Sequence, residues 1–538
     1  MKRLISLAIF ILTAASLFAQ CPRPAAGSTV AEPEDLFSAN GALIANFNFQ
    51  GPVSEPGYIK YCFTYTDGTP SPTLRLNPGD TLTLNVKNSS TAPNTAMAGM
   101  KMGTNASPAS SGPCGGETIL ASTTNLHFHG LNIPPLCHQD EVVYTAVQTG
   151  TAFQYKFQIP ANEPPGLYWY HPHPHGFSED QVLGGATGAL IVQGIQQFNP
   201  ILAGLPERVI VIRDQNNTYL PPAQAPSLPP PPSWDLSINY VPLLYSSYAP
   251  AVISMKPKER QFWRVANADA DTILDLQVLY GGVAQKLGVV ALDGVPLGWS
   301  NGGAGAFTNW QTDIYLPPGS RAEFILDGPA SGVPATFITE AIDTGPSGDF
   351  DTARTLANIV TSPTAAEPGP VLSSNTTPLG KTRFAWLGTV APTAQRSLYF
   401  SEQQVGSNSE NIDFFITVDG QTPAVFSPDS PPNIVTKVGA VEDWTIENRT
   451  QEVHEFHMHQ LHFLVLEENG VPVAHPELRD TYQVGYWDGT SATYPSIKVR
   501  MDFRDPEIAG AFVYHCHILG HEDAGMMGKI LVQAVQPN

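Results

Sequence analysis

The chain reads as all-β, built from three β-sandwich domains of Greek-key type, and three observations carry that reading. An alternating apolar segment ending in Asn occurs three times, as Leu82-Thr83-Leu84-Asn85-Val86-Lys87-Asn88, Phe262-Trp263-Arg264-Val265-Ala266-Asn267 and Trp444-Thr445-Ile446-Glu447-Asn448. The closing Asn residues are 267 − 88 = 179 and 448 − 267 = 181 positions apart, which marks three comparable units. Turn signals such as Pro78-Gly79-Asp80 and Pro317-Pro318-Gly319 break up the β-rich stretches, and long apolar runs of helical period are scarce. With Gly 46 and Pro 50 in 538 residues, the composition suits many short strands joined by turns.

Taken in order, residues 1–19 read as an export signal. Lys2 and Arg3 precede an apolar run from Leu4 to Phe18, and small residues end at Ala19, where cleavage is expected. The run is shorter than the roughly 20 residues a bilayer-crossing helix needs, and no other stretch approaches that length. Cys21 raises a lipoprotein alternative, but Phe18 stands where a lipobox wants Leu. The first unit is placed at 20–195, the second at 205–362 and the third at 380–538. They are joined by Pro- and Gly-containing connections from Gln193 to Pro206 and from Ser362 to Lys381, and the run Pro229 to Pro232 reads as a surface loop inside the second unit.

Chemistry concentrates in the histidines. Of fourteen, none precedes residue 127 and none lies between His175 and His454, so the middle unit has none. The i, i+2 spacing recurs at His127/His129, His171/His173, His457/His459 and His515/His517, which on a strand places both imidazoles on one face. Near the C-terminus Cys516 is flanked by His515 and His517, with His521 five residues on and Met526 ten residues on. Thiolate, imidazole and thioether together suit a blue-copper site, and His454 can supply its second imidazole. The flanking histidines face away from that ion and are free for another. Any single His pair is more often a solvated or hydrogen-bonded structural pair, but four pairs beside a His-flanked Cys exceed what one metal can accept.

With all four motifs in order, the chain resembles the multicopper oxidases of the bacterial, three-domain laccase type, from about residue 40 to the C-terminus. The resemblance implies cupredoxin-like domains and four copper ions. A type 2 copper would be held by His127 and His457, and a type 3 pair by His129, His171 and His517 on one ion and His173, His459 and His515 on the other. The type 1 copper would take His454, Cys516 and His521 with Met526 axial, an axial Met implying a low or moderate potential. Gly166-Leu167-Tyr168-Trp169-Tyr170-His171-Pro172-His173 in the first unit parallels Gly510-Ala511-Phe512-Val513-Tyr514-His515-Cys516-His517 in the third, and Pro172 stands where Cys516 does. The trinuclear cluster is therefore expected at the interface of the first and third units, with the second bridging them and shaping the substrate cleft. Two carboxylates sit at family offsets from ligands. Asp140 lies thirteen residues beyond His127, where laccases hydrogen-bond near the type 2 water, and Glu522 follows His521, where spore-coat-type laccases deliver protons to bound oxygen. The alternative for each is an ordinary surface acid. His138, His175, His462 and His475 are assigned structural or surface roles, and Met527 to core packing.

Export also accounts for the cysteines. With Cys516 a ligand, Cys21, Cys62, Cys114 and Cys137 remain, which allows three pairings in an oxidising compartment. Cys114–Cys137, bracketing the first histidine motif, and Cys21–Cys62 are favoured. The formal charge of −21 argues against nucleic acid and anionic membranes. The expected partners are dioxygen and a small aromatic or metal-ion reductant, the expected location is secreted or periplasmic, and a monomer is expected.

Phenols or aromatic amines are the leading substrates. The alternative is oxidation of Cu(I), Fe(II) or Mn(II), for which Met97, Met100 and Met102 offer soft thioethers, although a plain surface loop is the favoured reading of that segment. An electron-transfer protein without oxidase activity conflicts with complete ligand sets at both sites, and in a copper nitrite reductase the trinuclear set would be surplus.

Overall fold

The computed structural model describes residues 21–55, 58–93, 114–115, 118–215, 231–245, 248–301, 307–371, 383–406 and 412–534. The export signal and the Met97, Met100 and Met102 segment lie outside them, as do parts of Pro229 to Pro232 and of the connection before Lys381. Six sheets form three β-sandwiches, with strands running from Asp35 to Val192, from Glu207 to Thr361 and from Ala394 to Gln533.

The sequence repeat is a structural one. Thr81–Asn88, Arg260–Asn267 and Ala440–Asn448 each pair in parallel with an early strand of their own sandwich, Ala42–Glu55, Glu207–Gln215 and Ala394–Gln404, in the registers Phe49↔Asn88, Ile212↔Asn267 and Phe400↔Asn448. On its other side each pairs antiparallel, with Ala152–Gln158, Arg321–Asp327 and Ser496–Phe503 respectively. The three Asn residues are fully buried and do the same job. The amide nitrogen donates to two backbone carbonyls: Ser122 and Val147 for Asn88, Thr272 and Leu316 for Asn267, Glu452 and Val484 for Asn448. The amide oxygen accepts from the backbone N–H two residues on, at Ser90, Asp269 and Thr450. No other short side chain supplies two donors and an acceptor at once, which is why Asn ends all three strands.

The second sheets of the first and third sandwiches carry the histidines. In the first, His127–His129 pairs with Gly166–His171; in the third, His454–Met458 pairs with Gly510–Cys516. Each sandwich has its own apolar core. Leu167, Trp169, Ala189 and Ile191 of the first pack on Val209, Val211, Ala266 and Ala268 of the second. The N-terminal segment crosses over, with Thr29 bridging to Val252 and Val30 buried in the second core. Disulfides join Cys21 to Cys62 and Cys114 to Cys137, the favoured pairing. No helix among the described residues is long and apolar enough to cross a membrane.

Candidate metal centre

Register decides which side chains meet. In the antiparallel pair of the third sandwich, Phe456 is opposite Cys516 and His457 is opposite His515. Directly opposed residues share a face, so His457 and His515 look one way while Cys516 looks the other, into the core. In the first sandwich His127 is opposite His171 and His129 is opposite Trp169, which puts three imidazoles and an indole on one face. The two histidine faces meet between the sandwiches.

All eight paired histidines are buried, and their ring nitrogens converge. His129 Nδ1 lies 3.3 Å from His517 Nε2, His459 Nε2 lies 3.1 Å from His515 Nε2, and His173 Nε2 lies 3.4 Å from His515 Nε2. His173, His459 and His515 form one compact triad; His127 groups with His129 and His171, and also with His457 and His459. The outer nitrogens are anchored to protein. His171 Nδ1 donates to the Pro172 carbonyl, His515 Nδ1 to that of Cys516 and His457 Nδ1 to that of Asp480, each at 2.8 Å. The inward nitrogens, Nε2 of His127, His171 and His457, are buried with no hydrogen-bond partner. Buried polar atoms are rarely left so, and a cluster of them facing one another fits metal ions. Burial above all holds the cluster imidazoles below their ordinary range, His171 and His515 at about 3, so the rings are neutral with lone pairs free to ligate.

Anchoring carboxylates surround the cluster. Asp140 is buried, lies 3.0 Å from His127 Nδ1, accepts the Phe128 N–H and is held by the Gln460 amide. Glu522 is also buried, 3.6 Å from His173 Nδ1 and 3.9 Å from His515 Nδ1, with Ser178 Oγ at 3.4 Å. Neither is a surface acid. Burial, then the charge of Asp523, pushes Glu522 well above the usual carboxylate range.

The second centre lies in the third sandwich. Cys516 Sγ is 3.6 Å from His454 Nδ1 and 3.8 Å from His521 Nδ1, and the two imidazole nitrogens are 3.1 Å apart. Met526 is fully buried in the same core as Cys516. The connecting turn closes on itself, the Cys516 N–H donating to the Met526 carbonyl and the Met526 N–H to that of His521. The Glu455 N–H points at Cys516 Sγ at 3.4 Å, and Thr450 Oγ1 contacts His454 Nε2 at 2.9 Å, fixing the ring. His454 is fully buried, whereas His521 is 14% exposed, so only His521 offers an edge to solvent.

Sequence reasoning gave the middle sandwich a bridging role but missed the residues that carry it. Arg321 reaches from it to Asp480, and Asp480 contacts His129 Nε2 at 3.2 Å. Asp293, also of the middle sandwich, anchors Arg479. Trp169 stacks on His171 at 4.3 Å and donates to the Gly319 carbonyl. His462 has a structural place, 2.7 Å from the Asp293 carbonyl. His175 is buried against Phe426, His138 is exposed and stacks on Phe153, His475 is exposed and Met527 is buried in a small apolar cluster.

Fold and donor set together define a copper protein of cupredoxin-like units. Multicopper oxidase family models match residues 118–197 and 395–536, the stretches that carry the histidine motifs. The laccase of Bacillus subtilis (strain 168) is 24% identical over 414 residues, covering 71% of this chain and 73% of the relative. The multicopper oxidase mco of Staphylococcus aureus is 23% identical over 420 residues, covering 77% of each. Among solved structures, the Campylobacter jejuni multicopper oxidase, described as a metallo-oxidase, aligns with a TM-score of 0.65 at 22% identity over 96% of each chain. Two stretches of the chain thus match multicopper oxidase family models, and relatives named laccase and multicopper oxidase mark it as an oxidoreductase.

Proposed function

We propose that this protein is a laccase-like oxidase holding four coppers, one at His454, Cys516, His521 and Met526 and three among the eight paired histidines. It would take single electrons from a phenol or aromatic amine and reduce dioxygen to two waters. The observation that carries the reading is that one strand and the residue after it hold Cys516 between His515 and His517. A thiolate site and an imidazole cluster are thereby joined through a few covalent bonds. Bound copper supplies the one-electron redox chemistry, and the protein supplies geometry, tuning and protons.

His521 is the residue through which a reductant reaches the thiolate site. Its ring stacks against half-buried Phe414 at 4.4 Å, an aromatic surface suited to a planar donor. At the cluster, Asp140 holds His127 with Nε2 inward, and the Glu522 carboxyl stands beside His173 and His515 as the proton donor of this reading. Secretion or periplasmic export belongs to this reading, supported by the N-terminal basic and apolar run and by two disulfides. A second reading, oxidation of a metal ion, draws support from an acid-lined recess beside His521. Oxygen consumption measured with a phenol and with Cu(I) in parallel tests the proposal. Uptake with the phenol is expected, and uptake with neither would refute the oxidase reading.

A further inference from the structure

In the third sandwich the loop from Tyr486 to Ser496 and the turn at Asn469 and Gly470 line a surface pocket of about 600 Å³. That lies within the roughly 300–1,000 Å³ of sites for small organic ligands. Its aromatic wall is Trp487 and Tyr494, ring centroids 5.3 Å apart at 63°, with Tyr486 beside them. Tyr494 is 38% exposed and Trp487 is half-buried. The loop that carries them is pinned from within. Asp488 Oδ1 accepts the backbone N–H of Thr490 at 2.7 Å and of Ser491 at 2.6 Å, its Oδ2 accepts the Ser491 hydroxyl at 2.6 Å, and Trp487 Nε1 donates to the Ser491 carbonyl at 2.9 Å. On the other flank the Arg449 guanidinium lies 5.2 Å from the Tyr494 ring centre and pairs with Glu447 at 2.7 Å. Rings fixed in advance lose little freedom when a ligand arrives, so these exposed aromatic faces form a ready platform.

The polar groups narrow the ligand. No Lys, Arg or His stands among the described residues that line the pocket, and the neighbouring Arg449 is committed to Glu447, so a phosphate or carboxylate lacks a cationic partner. Both acids of the lining are already served, Asp488 by its own loop and Glu447 by Arg449, so an organic cation finds no unpaired carboxylate. What remains around the rings is the amide of Asn469 and the hydroxyls of Thr493 and Ser496. Amides and hydroxyls both donate and accept, which matches the hydroxyl groups of a sugar. The polarised C–H groups of a pyranose ring meet the electron-rich faces of indole and phenol. A flat phenol would cover the rings but strip water from the polar groups without replacing their hydrogen bonds. We propose that this pocket binds a neutral oligosaccharide, stacked on Trp487 and Tyr494 and hydrogen-bonded by Asn469 and Thr493. The occupant anchors the protein and is not oxidised there. The Trp487 N–H donates to the Thr450 carbonyl at 2.8 Å and Thr450 Oγ1 contacts His454 Nε2, but His454 is fully buried, and His521 alone offers a ring edge to solvent.

The test titrates the copper-loaded protein with cellohexaose, xylohexaose and mannohexaose in turn, and with hexagalacturonate as an anionic chain of the same number of rings, by isothermal titration calorimetry. The wild type is expected to bind at least one neutral chain with a Kd of roughly 10 μM to 1 mM, and hexagalacturonate at least about tenfold more weakly. Trp487→Ala should weaken the neutral chain by about tenfold or more, while kcat/KM for a phenol stays within about twofold. Should Trp487→Ala lose its blue absorption, Tyr494→Ala, at the more exposed ring, carries the same measurements. Binding of none of the neutral chains, equal affinity in wild type and variant, or tighter binding of hexagalacturonate overturns the site. A rise in KM for the phenol in the variant, with oligosaccharide binding unmoved, would make the pocket an aromatic-substrate site and overturn the proposal as well. Calorimetry reads binding without turnover, so the site is decided whether or not the phenol is oxidised.

Discussion

Arg321 Nη2 lies 2.6 Å from Asp480 Oδ2, both side chains fully buried, and this contact ties the histidine-free sandwich to the histidine cluster. The other oxygen of Asp480 is 3.2 Å from His129 Nε2, and its backbone carbonyl accepts from His457 Nδ1. One residue therefore sets the ring orientation of a histidine from each outer sandwich, and a guanidinium from the middle one holds it. Removing one partner of a buried pair leaves an unpaired charge, at a cost of about 3–5 kcal/mol. Arg321→Met is expected to lower stability by that order and to reduce copper at the cluster, with the blue absorption of the Cys516 site retained. Copper per chain and blue absorbance, measured on one sample, check this; full copper occupancy in the variant would refute the role.

Much of this centre was legible in the sequence, because i, i+2 histidines on strands and a Cys between two of them state their geometry outright. The Asn88, Asn267 and Asn448 repeat was legible for a similar reason, each ending a strand that pairs in parallel with an early strand of its sandwich. Arg321, Asp293 and Asp480 were not legible. Their roles come from packing between sandwiches far apart in sequence, and an Arg-Asp-Thr run twenty residues past the third motif has no periodicity to set it apart. The acid-lined recess beside His521 escaped for the same reason, its acids Asp271, Asp351 and Glu452 belonging to three separate loops.

Gly319 makes a sharper test of the cluster's packing. Its φ is +86°, and a Cβ there would fall 2.9 Å from the His517 ring. Gly332, with φ +77°, has open space at the same point. Both Gly→Ala changes incur the left-handed backbone penalty of about 1–2 kcal/mol, but only Gly319→Ala also pushes on His517. Oxygen turnover should fall by about tenfold in Gly319→Ala and stay near wild type in Gly332→Ala. Equal effects would mean that His517 tolerates displacement.

Cys516→Ser removes the thiolate but none of the eight paired imidazoles. Blue absorption and turnover should vanish while the protein stays folded and partly loaded with copper. Spectroscopy with metal analysis checks this, and persistent blue colour would contradict the assignment of Cys516.

Stripping copper should make the protein acid-sensitive well above the usual carboxylate range. His171 and His515 are held at about 3, against an ordinary value near 6.5, chiefly by burial. Above about pH 6.5 these rings are neutral in both folded and unfolded chains. As pH falls from 6.5 toward 3 only the unfolded chain takes up protons, so stability is lost across that window, by on the order of 1 kcal/mol per imidazole per pH unit. Bound copper competes with those protons and should move the loss to lower pH. Chemical denaturation of the copper-free and copper-loaded forms at pH 7.5 and at 5.5 measures the difference, and identical pH profiles would count against neutral buried rings.

Glu522, a buried carboxyl raised well above the usual range, lies 3.6 Å from His173 Nδ1, and its Oε2 makes no hydrogen bond. Glu522→Gln keeps the shape and the contact with Ser178 but cannot release a proton. If the carboxyl feeds protons to oxygen reduction, turnover should fall by roughly 10²-fold, the scale of a lost general acid. Anaerobic reduction of the blue site should be unchanged, because His521 and Cys516 lie on the other side of the strand. Stopped-flow bleaching without oxygen, set beside steady-state oxygen uptake, separates the two steps. Equal slowing of both would show that the variant disturbs the helical turn Leu519–Asp523 and with it His521, and slowing of neither would place the proton source elsewhere.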